Sequence, residues 1–325
     1  MREITPENAD LYLRDSGRIP EDRAVAVRAF GGGVSNVVMR VEVEGEPPFV
    51  LKQAREKLRT KKLWVSRLER IWTERDALEW LGLILPEGVV PRVLFSDDEN
   101  YLYAMTHAPL DAVVWKQQLL SGAADPKVAR LAGEILGVIH GATRAPGARF
   151  HDATVFDELR IDPFYREIAR VHPEIAPSIA ALIASMADAP DRCLVLGDFS
   201  PKNILVHAKG LTLVDFETAH AGDPAFDLGF FLSHLVLKSL RATVGSDDPA
   251  AFLDRDFQAG YRATVDDAGL ALWERARQHM YACMLARIDG KSPVDYLDDE
   301  ARARAREAAL HGLRRASDGT GNAIF

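Results

Sequence analysis

The stretch LGDFSPKN at residues 196–203, followed by LVDFE at residues 213–217, decides the fold. Within it, Asp198 and Asn203 stand five positions apart, and Asp215 follows Asn203 after a further twelve positions. Two short apolar runs with the composition of β-strands separate the last two residues. Strands joined by a tight turn lie side by side, so the sequence predicts that the three polar side chains lie near one another.

These three residue types match the needs of phosphoryl transfer. That reaction requires a carboxylate that orients and deprotonates the acceptor hydroxyl, and oxygen ligands for a Mg²⁺ ion bridging the phosphates. The spacing therefore predicts Asp198 as the catalytic base, with Asn203 and Asp215 as metal ligands. The competing interpretation of each residue taken singly is structural, because Asp and Asn commonly cap turns.

The composition of the 325 residues is that of an ordinary globular protein, with 47% apolar and 27% charged residues. A net charge of −8 argues against a nucleic-acid-binding surface, which would carry a basic patch. Cys193 and Cys283 lie in apolar contexts without a CxxC motif, so neither a zinc nor a redox site is expected. No signal peptide is recognised, and the most apolar stretch, residues 228–240, is too short to span a bilayer. These features predict a cytoplasmic protein without a membrane partner.

The order of predicted elements divides the chain into two parts. The first part is dominated by strand-like runs around one main helix with a 3.6-residue apolar period. The second part is mostly helical and contains one compact β segment. This layout predicts an α+β fold with a small β-rich N-lobe and a larger helical C-lobe. The predicted domains are the N-lobe at residues 1–106, the C-lobe at residues 107–315 and a flexible tail at residues 316–325.

Three segments together look like one known superfamily. GDFSPKNILV at residues 197–206, DFE at residues 215–217 and GDPAFDLG at residues 222–229 resemble the aminoglycoside phosphotransferases and choline kinases. The resemblance extends over roughly residues 24–315. It implies a two-lobed protein-kinase-like fold with a nucleotide-binding N-lobe, ATP and Mg²⁺ as cofactors, and a small-molecule hydroxyl as phosphate acceptor. It also implies that Asp223 and Asp227 are structural and brace the catalytic loop through backbone hydrogen bonds.

Further features resemble the methylthioribose kinase branch of this superfamily. They are KQA at residues 52–54, FDLGFFL at residues 226–232, and Arg287 near the end of a predicted helix. That branch carries a proline after the metal-binding aspartate and a second, adjacent arginine, where this chain has Phe216 and Ala286. The sequence therefore leaves the acceptor open among sugars, polyols and amino alcohols.

A glycine-rich segment is the first of the implied nucleotide contacts. The resemblance implies that Gly31, Gly32, Gly33, Ser35 and Asn36 form a turn over the ATP phosphates. Glycine suits this position because it lets the backbone approach a ligand closely. Taken alone, three glycines between strands equally fit an ordinary hairpin turn.

The remaining implied nucleotide contacts come from a strand, a helix and a connecting segment. Lys52 resembles the third-strand lysine that holds the α- and β-phosphates, although a lysine stem covering apolar surface is the plain alternative. Glu74 resembles the helix glutamate that pairs with this lysine. Glu69 is the second candidate, and a solvent-exposed carboxylate is the plain alternative. The segment from Met105 to His107 resembles the hinge whose backbone groups meet adenine, although Met105 taken alone is an ordinary strand residue.

The segment at residues 287–297 breaks one helix and starts another, and the superfamily places substrate contacts in such a loop. Arg287 is predicted either to bind an acidic or polyol group of the acceptor or to satisfy carbonyls at its helix end. With Lys291 it would repel ammonium groups, although Asp289 and Asp295 lie in the same loop. A polycation needs several converging carboxylates, so we predict a neutral or weakly charged sugar or polyol. An aminoglycoside-type antibiotic kinase with an acidic pocket is the alternative.

Two other classes of protein compete with a small-molecule kinase. A non-catalytic pseudokinase typically lacks the lysine, the base or the metal-binding aspartate, and here Lys52, Asp198 and Asp215 are all present. A protein kinase is disfavoured because the motif DFE lacks the glycine of DFG and no APE motif follows it. A homodimer is left open by the sequence.

Overall fold

The computed structural model describes residues 1–31, 36–55, 65–144, 146, 150–241, 253–265 and 269–317. The chain divides into two compact units. Unit 1 comprises Met1–Ala112 and Thr212–Glu217, and unit 2 comprises Val113–Leu211 and Thr218–Phe325. The predicted limits of the lobes stay predictions, and unit 1 differs from the predicted N-lobe chiefly by including the returning segment Thr212–Glu217.

Unit 1 is built on a five-stranded antiparallel sheet with the spatial order β1-β2-β3-β5-β4. The strands are β1 Val25–Ala29, β2 Asn36–Val43, β3 Phe49–Ala54, β4 Val93–Asp97 and β5 Leu102–Thr106. The central strand β3 pairs with both β2 and β5, and all six of its side chains are buried. Such a strand offers a polar side chain a fixed position inside the unit, because its backbone is hydrogen-bonded on both edges.

Two helices cover this sheet, α1 at Ala9–Asp15 and α2 at Arg70–Ile84. The helix predicted from the apolar period is α2, and its residues Ile71, Leu78 and Leu81 are buried as that period requires. Glu74 lies on the same buried side of α2, one turn before Leu78. The apolar face of α2 thus carries one carboxylate into the interior of unit 1.

The returning segment Thr212–Glu217 is held within unit 1 by hydrogen bonds to the loop before β4. The Leu213 amide donates to the Val89 carbonyl over 2.7 Å, and the Thr212 hydroxyl donates to the Gly88 carbonyl over 2.7 Å. These bonds fix the backbone that leads to Asp215.

Unit 2 is mainly helical. Its helices are α3 Trp115–Leu120, α4 Pro126–Ala142, α5 Thr154–Phe156, α6 Glu167–Val171, α7 Ala176–Ala187, α8 Pro224–Ser239, α9 Leu253–Arg262, α10 Leu270–Asp289 and α11 Asp299–Ser317. A π-helical segment, Asp157–Arg166, runs between α5 and α6, and a 3₁₀ turn, Pro173–Ile175, precedes α7. The short strands are β6 Val113–Val114, β7 Cys193–Val195, β8 Ile204–His207, β9 Gly210–Leu213 and β10 His220–Gly222. Strand β10 pairs with β7 and β6 pairs with β8, while β9 carries the chain from unit 2 into unit 1.

The core of unit 2 centres on α8, which is buried along nearly its whole length and packs against α10. The two helices lie close together at Gly229, where an added Cβ would lie 2.3 Å from the Ala276 carbonyl oxygen. Only glycine leaves room for that backbone, so the FDLGFFL run specifies the contact between α8 and α10.

The predicted α+β fold is confirmed, with an antiparallel sheet in unit 1 and a largely helical unit 2. Within the described residues, no helix combines the length and the apolar character that a bilayer crossing requires.

Candidate active site

A buried ion-pair cluster occupies the interior of unit 1. Lys52, on the central strand β3, is 4% exposed, and its Nζ lies 2.6 Å from Glu74 Oε2 and 2.9 Å from Asp215 Oδ1. The structure therefore brings together three of the residues singled out from the sequence. Glu69, the second candidate for the lysine's partner, is exposed just before α2 and does not take that place.

The electrostatics of this cluster keep the lysine charged. Burial alone would lower the pKa of Lys52, but the carboxylates of Asp215 and Glu74 outweigh burial and raise it. Burial raises the pKa of Glu74, and the negative charges of Asp215 and Glu217 act in the same direction against the attraction of Lys52. The cluster thus presents a fixed ammonium group inside the sheet.

A second polar network in unit 1 was not predicted from the sequence. Arg70 is fully buried, its Nε donates to Glu217 Oε2 over 3.1 Å, and the Asn36 amide donates to the same oxygen over 2.7 Å. One feature of the sequence could have identified Arg70 as an inward-facing residue. It precedes Glu74 by four positions, so the two side chains share the inward side of α2. Because the Asn36 side chain binds Glu217 here, its assignment to the phosphate-binding turn stays a prediction.

The backbone at Asp215 has the left-handed conformation, with φ of +73°. Non-glycine residues adopt this region rarely, and aspartate and asparagine tolerate it best. The side chain remains 24% exposed while its Oδ1 accepts from Lys52. An unusual backbone conformation at a partly accessible carboxylate is a feature that clusters at functional sites.

In unit 2, Asp198 is 5% exposed and is held by two cations. Arg160 Nη2 and Lys202 Nζ each lie 2.8 Å from Asp198 Oδ2. The other oxygen, Oδ1, is buried and has no hydrogen-bond partner among the described residues. Buried carboxylate oxygens are normally satisfied, so this atom is suited to accept a proton or a hydrogen bond from a ligand.

The loop that carries Asp198 is braced by Asp227 at the start of α8. Its two carboxylate oxygens accept from the amides of Leu196 and Gly197 over 2.6 and 2.8 Å. Gly197 has φ of +72°, and an added Cβ would lie 2.7 Å from the Thr218 hydroxyl, so the turn before Asp198 requires glycine. These contacts fix the direction in which Asp198 leaves the backbone.

Asp223 does not share this task, so the prediction that it braces the same loop is wrong. Its Oδ1 accepts from the Ala225 amide over 3.0 Å at the start of α8, and its Oδ2 lies 2.9 Å from Arg275 Nε. Asp223 therefore caps α8 and ties it to α10.

Neither cation on Asp198 was predicted from the sequence, and Arg160 lies outside the motif that contains Asp198 and Lys202. Its Nε donates to the Gly197 carbonyl over 2.7 Å while its guanidinium reaches the Asp198 carboxylate. It lies on the π-helical segment Asp157–Arg166, whose pairing pattern has no simple sequence signature. No periodicity could have pointed to it.

Asn203 lies on the same loop, five positions after Asp198. Its amide nitrogen donates to the Asp198 carbonyl over 3.0 Å, which leaves the amide oxygen as the atom that suits a cation. No group of three His, Cys, Asp or Glu side chains in the described ranges forms a metal-binding cluster. A carboxylate such as Asp215 and an amide oxygen such as that of Asn203 are nevertheless each of the kind that binds Mg²⁺, which keeps several waters and is commonly held by one or two carboxylates plus substrate phosphates. The predicted proximity of Asn203 and Asp215 joins residues of different units and stays a prediction.

The other implied nucleotide contacts are located as follows. Met105 is buried on β5, and His107 follows that strand with its ring centroid 6.1 Å from that of Phe30. An added Cβ at Gly31 would meet no atom within 4 Å, so the space beside that backbone is open. The predicted residues that lie outside the described part of the chain are Gly32, Gly33 and Ser35.

Ion pairs with other parts of unit 2 engage charged residues of the predicted acceptor loop. Lys291 Nζ lies 2.6 Å from Asp162, and Asp289 pairs with both Arg306 and His172. Two of the four charged residues expected to shape an acceptor pocket are therefore engaged in contacts of their own.

Arg287 differs from them, because it forms no ion pair with the described carboxylates. Its Nη1 donates to the hydroxyl of Ser292 over 2.8 Å and to the carbonyl of the same residue. Ser292 lies beyond the end of α10, so Arg287 holds the loop rather than the last carbonyls of its own helix. Burial lowers the pKa of Arg287.

Comparison with known proteins gives concordant results. The model of the phosphotransferase enzyme family matches residues 26–279. A methylthioribose kinase of Exiguobacterium sibiricum is 27% identical over 262 residues, which cover 71% of this chain and 66% of that protein. A methylthioribose kinase of Pectobacterium carotovorum is 25% identical over 340 residues, which cover 95% of this chain and 80% of that protein.

Among solved structures, a choline kinase from Cryptosporidium parvum is similar, with a TM-score of 0.61 and 14% sequence identity over 97% of each chain. At that identity the likeness shows the fold alone, and the predicted protein-kinase-like fold is confirmed. The matched part of this chain spans about two thirds of the length of the first of these relatives and four fifths of the second.

Proposed function

Because the chain belongs to the phosphotransferase enzyme family and is therefore a small-molecule kinase, we propose that it transfers the terminal phosphoryl group of ATP to a hydroxyl group positioned by Asp198. The observation that carries this proposal is the Oδ1 atom of Asp198, buried and without a hydrogen-bond partner in the described part of the chain. Its other oxygen is already bound by Arg160 and Lys202, so one acceptor position remains for a substrate.

The chemistry follows from the residues around that atom. Asp198 Oδ1 accepts the hydroxyl proton while the acceptor oxygen forms a bond to the γ-phosphorus, and the bond from that phosphorus to the bridging oxygen of ADP breaks. Arg160 and Lys202 hold the carboxylate in place through its second oxygen. The left-handed turn at Gly197 and the clamp from Asp227 keep the loop from shifting during proton transfer.

The residues of unit 1 have the complementary task of binding phosphate. Lys52, kept charged by Asp215 and Glu74, would contact the phosphates, and Glu74 fixes the direction of its ammonium group. Asp215 and Asn203 would hold Mg²⁺, which neutralises charge on the phosphates when bound. Gly31 and its neighbours, Met105 and His107 keep their predicted roles in nucleotide binding, which rest on the resemblance.

The acceptor is proposed only as a class. The relatives named methylthioribose kinase make a sugar-like hydroxyl the first candidate. Their identity to this chain is about a quarter, and the Phe216 and Ala286 departures keep the choice open. The cytoplasmic location, the absence of a nucleic-acid partner and a homodimer stay predictions.

A phosphate-acceptor screen tests this proposal. ADP release by the full chain is measured with MgATP across sugars, polyols, amino alcohols and aminoglycosides, for wild type and for Asp198→Asn. We expect at least one acceptor to stimulate ADP release by wild type and not by the variant. The matched control is Asp188→Asn, which makes the same change at an exposed position after α7. Binding of ATP without stimulation by any acceptor would favour the pseudokinase alternative.

A further inference from the structure

Helix α8 carries a buried lysine that the phosphate-transfer machinery does not use. Lys238 is 4% exposed, and its Nζ donates to the His234 carbonyl over 3.1 Å. It forms no ion pair with a carboxylate among the residues that the structure describes. A lysine is seldom buried without a partner, because the loss of hydration is costly. Its position therefore requires an explanation other than packing.

Other cations converge on the same place. The ring of Tyr296 has the Nζ of Lys238 at 5.3 Å and the Nζ of Lys116 at 5.7 Å from its centroid. Burial lowers the pKa of Lys238 to about 7, and the positive charges of Lys116, Arg287 and Arg241 act in the same direction. Three cations, from α3, from α10 and from just beyond α8, thus act on the buried lysine of α8.

The carboxylates near this cluster do not neutralise it. Those that act on Arg287 are Asp198 and Asp295. Asp198 is already paired with Arg160 and Lys202, and Asp295 is an exposed residue without an ion pair to the cluster in the described ranges. The cluster keeps an excess of positive charge.

Three polar atoms around the cluster are buried without a hydrogen-bond partner in the described part of the chain. They are Tyr296 Oη, Arg287 Nε and His234 Nε2. Tyr296 Oη and Arg287 Nε can donate a hydrogen bond, and the ammonium groups of Lys238 and Lys116 carry further N–H donors. The cluster therefore offers mainly hydrogen-bond donors. An anion is the ligand that would satisfy several such donors and offset the excess charge.

The cluster lies beside the loop that carries Asp198. The backbone amide of Lys116 donates to the carbonyl of Pro201 over 2.8 Å, and Pro201 follows Asp198 by three positions on that loop. We propose that the acceptor carries an anionic group, a carboxylate or a phosphate, which Lys238, Lys116 and Arg287 bind while its hydroxyl meets Asp198. This inference rests on the proposed function, and it revises the expectation of a neutral polyol or sugar.

The test compares acceptors that share one carbon skeleton and differ in charge. The first set is glucose, glucuronate, glucose 6-phosphate and glucosamine, and the second is glycerol, glycerate, glycerol 3-phosphate and serinol. Binding to the full chain is measured by calorimetry with saturating MgADP, so that the anions do not compete for the nucleotide site. Phosphoryl transfer is then measured with MgATP. Comparing the carboxylate with the phosphate ester in each set shows which of the two anionic groups the cluster binds.

We expect an anionic member of at least one set to bind about tenfold or more tightly than its neutral and cationic counterparts, as for charge-assisted hydrogen bonds. Lys238→Met and Lys116→Met should each remove that advantage without changing MgADP affinity. The matched control, Lys209→Met, alters an exposed lysine on the turn between β8 and β9 and should retain it.

The inference is overturned if, in both sets, the neutral or cationic member binds as well as the anionic ones, or if no anion binds saturably to wild type. It is also overturned if an anion binds equally to wild type and to both lysine variants. Turnover of a neutral or cationic acceptor would defeat this inference and leave the proposed kinase function intact. Anion binding without any phosphoryl transfer would instead contradict the proposed function.

Discussion

Lys52 Nζ lies 2.6 Å from Glu74 Oε2, and both side chains are buried inside unit 1. The pair joins the middle strand of an antiparallel sheet to the buried face of α2, the helix that packs on that sheet. A lysine held in this way has lost most of its rotamer freedom before any ligand binds, so a phosphate contact costs little further ordering.

The first prediction concerns this pair. Glu74→Gln keeps the size of the side chain but removes the charge that directs Lys52, so we expect KM for ATP to rise by about tenfold, as for one lost charge-assisted hydrogen bond. Steady-state kinetics with varied MgATP provide the measurement. Glu79→Gln is the matched control, because Glu79 is exposed on the same helix. Equal effects of the two substitutions would show that the pair is not used in nucleotide binding.

The second prediction concerns Asp215 as a metal ligand. Asparagine tolerates the left-handed backbone of this position, so Asp215→Asn removes the charge with little backbone cost. We expect kcat to fall by roughly a hundredfold or more, because phosphoryl transfer depends on metal-held phosphates. Activity and thermal unfolding are measured at several Mg²⁺ concentrations. A loss of activity smaller than about tenfold, at any Mg²⁺ concentration, would assign the metal to other residues.

The third prediction uses the pH dependence of stability. The folded pKa of Lys238 is about 7, whereas the unfolded chain titrates near 10.5. Between these values the unfolded state binds the extra proton, so the free energy of unfolding should rise with pH, by up to ~1.4 kcal/mol per pH unit. Below pH 7 both states are protonated and the full penalty for burying the charge remains.

Lys238→Met removes this penalty and should unfold at higher denaturant concentration than wild type at pH 7, with a difference that shrinks toward pH 10. Chemical denaturation of both proteins at several pH values, without added anions, gives the measurement. The control Lys209→Met should follow the wild-type profile. A wild-type minus variant difference that does not change with pH would mean that Lys238 titrates normally in the folded protein.

The fourth prediction compares two helical glycines. Gly229→Ala places a Cβ 2.3 Å from the Ala276 carbonyl oxygen, so α8 and α10 must separate, and we expect a loss of about 1–3 kcal/mol of stability. Gly82→Ala on α2 meets nothing within 4 Å and should instead gain about 0.5–1 kcal/mol. The stability of each variant is measured by the denaturant concentration at which half of the protein is unfolded. Stabilisation by both substitutions would contradict the close helix contact.

The sequence was sufficient for the local framework of the site. The motif with Asp198 and Asn203, the strand bearing Lys52 and the period that puts Glu74 inward are local patterns, and patterns of this kind report secondary structure and facing directly. The family membership and the small-molecule kinase class follow from the same motifs and are confirmed.

Contacts between residues far apart in the sequence could not be predicted from local patterns. Arg160 reaches Asp198 from a π-helical segment without a sequence signature, and Lys291 is neutralised by Asp162 from that same segment. The burial of Lys238 could not be predicted from the sequence, because a single lysine at the end of an apolar helix ordinarily extends its ammonium group into solvent. The charge of the proposed acceptor-binding cluster depends on such contacts, which explains why the sequence alone favoured a neutral acceptor.

The most direct test of the central claim is the Asp198→Asn substitution, followed by identification of the phosphorylated product with ³¹P NMR. With an acceptor that wild type uses, we predict that kcat falls by ~10²–10⁴ while the affinity for MgATP measured by calorimetry is nearly unchanged. The phosphoryl group should appear on an acceptor hydroxyl with wild type, and the variant should form the same product more slowly by that factor. A variant that retains wild-type turnover, or that loses MgATP binding together with activity, would contradict the role of Asp198 as the base.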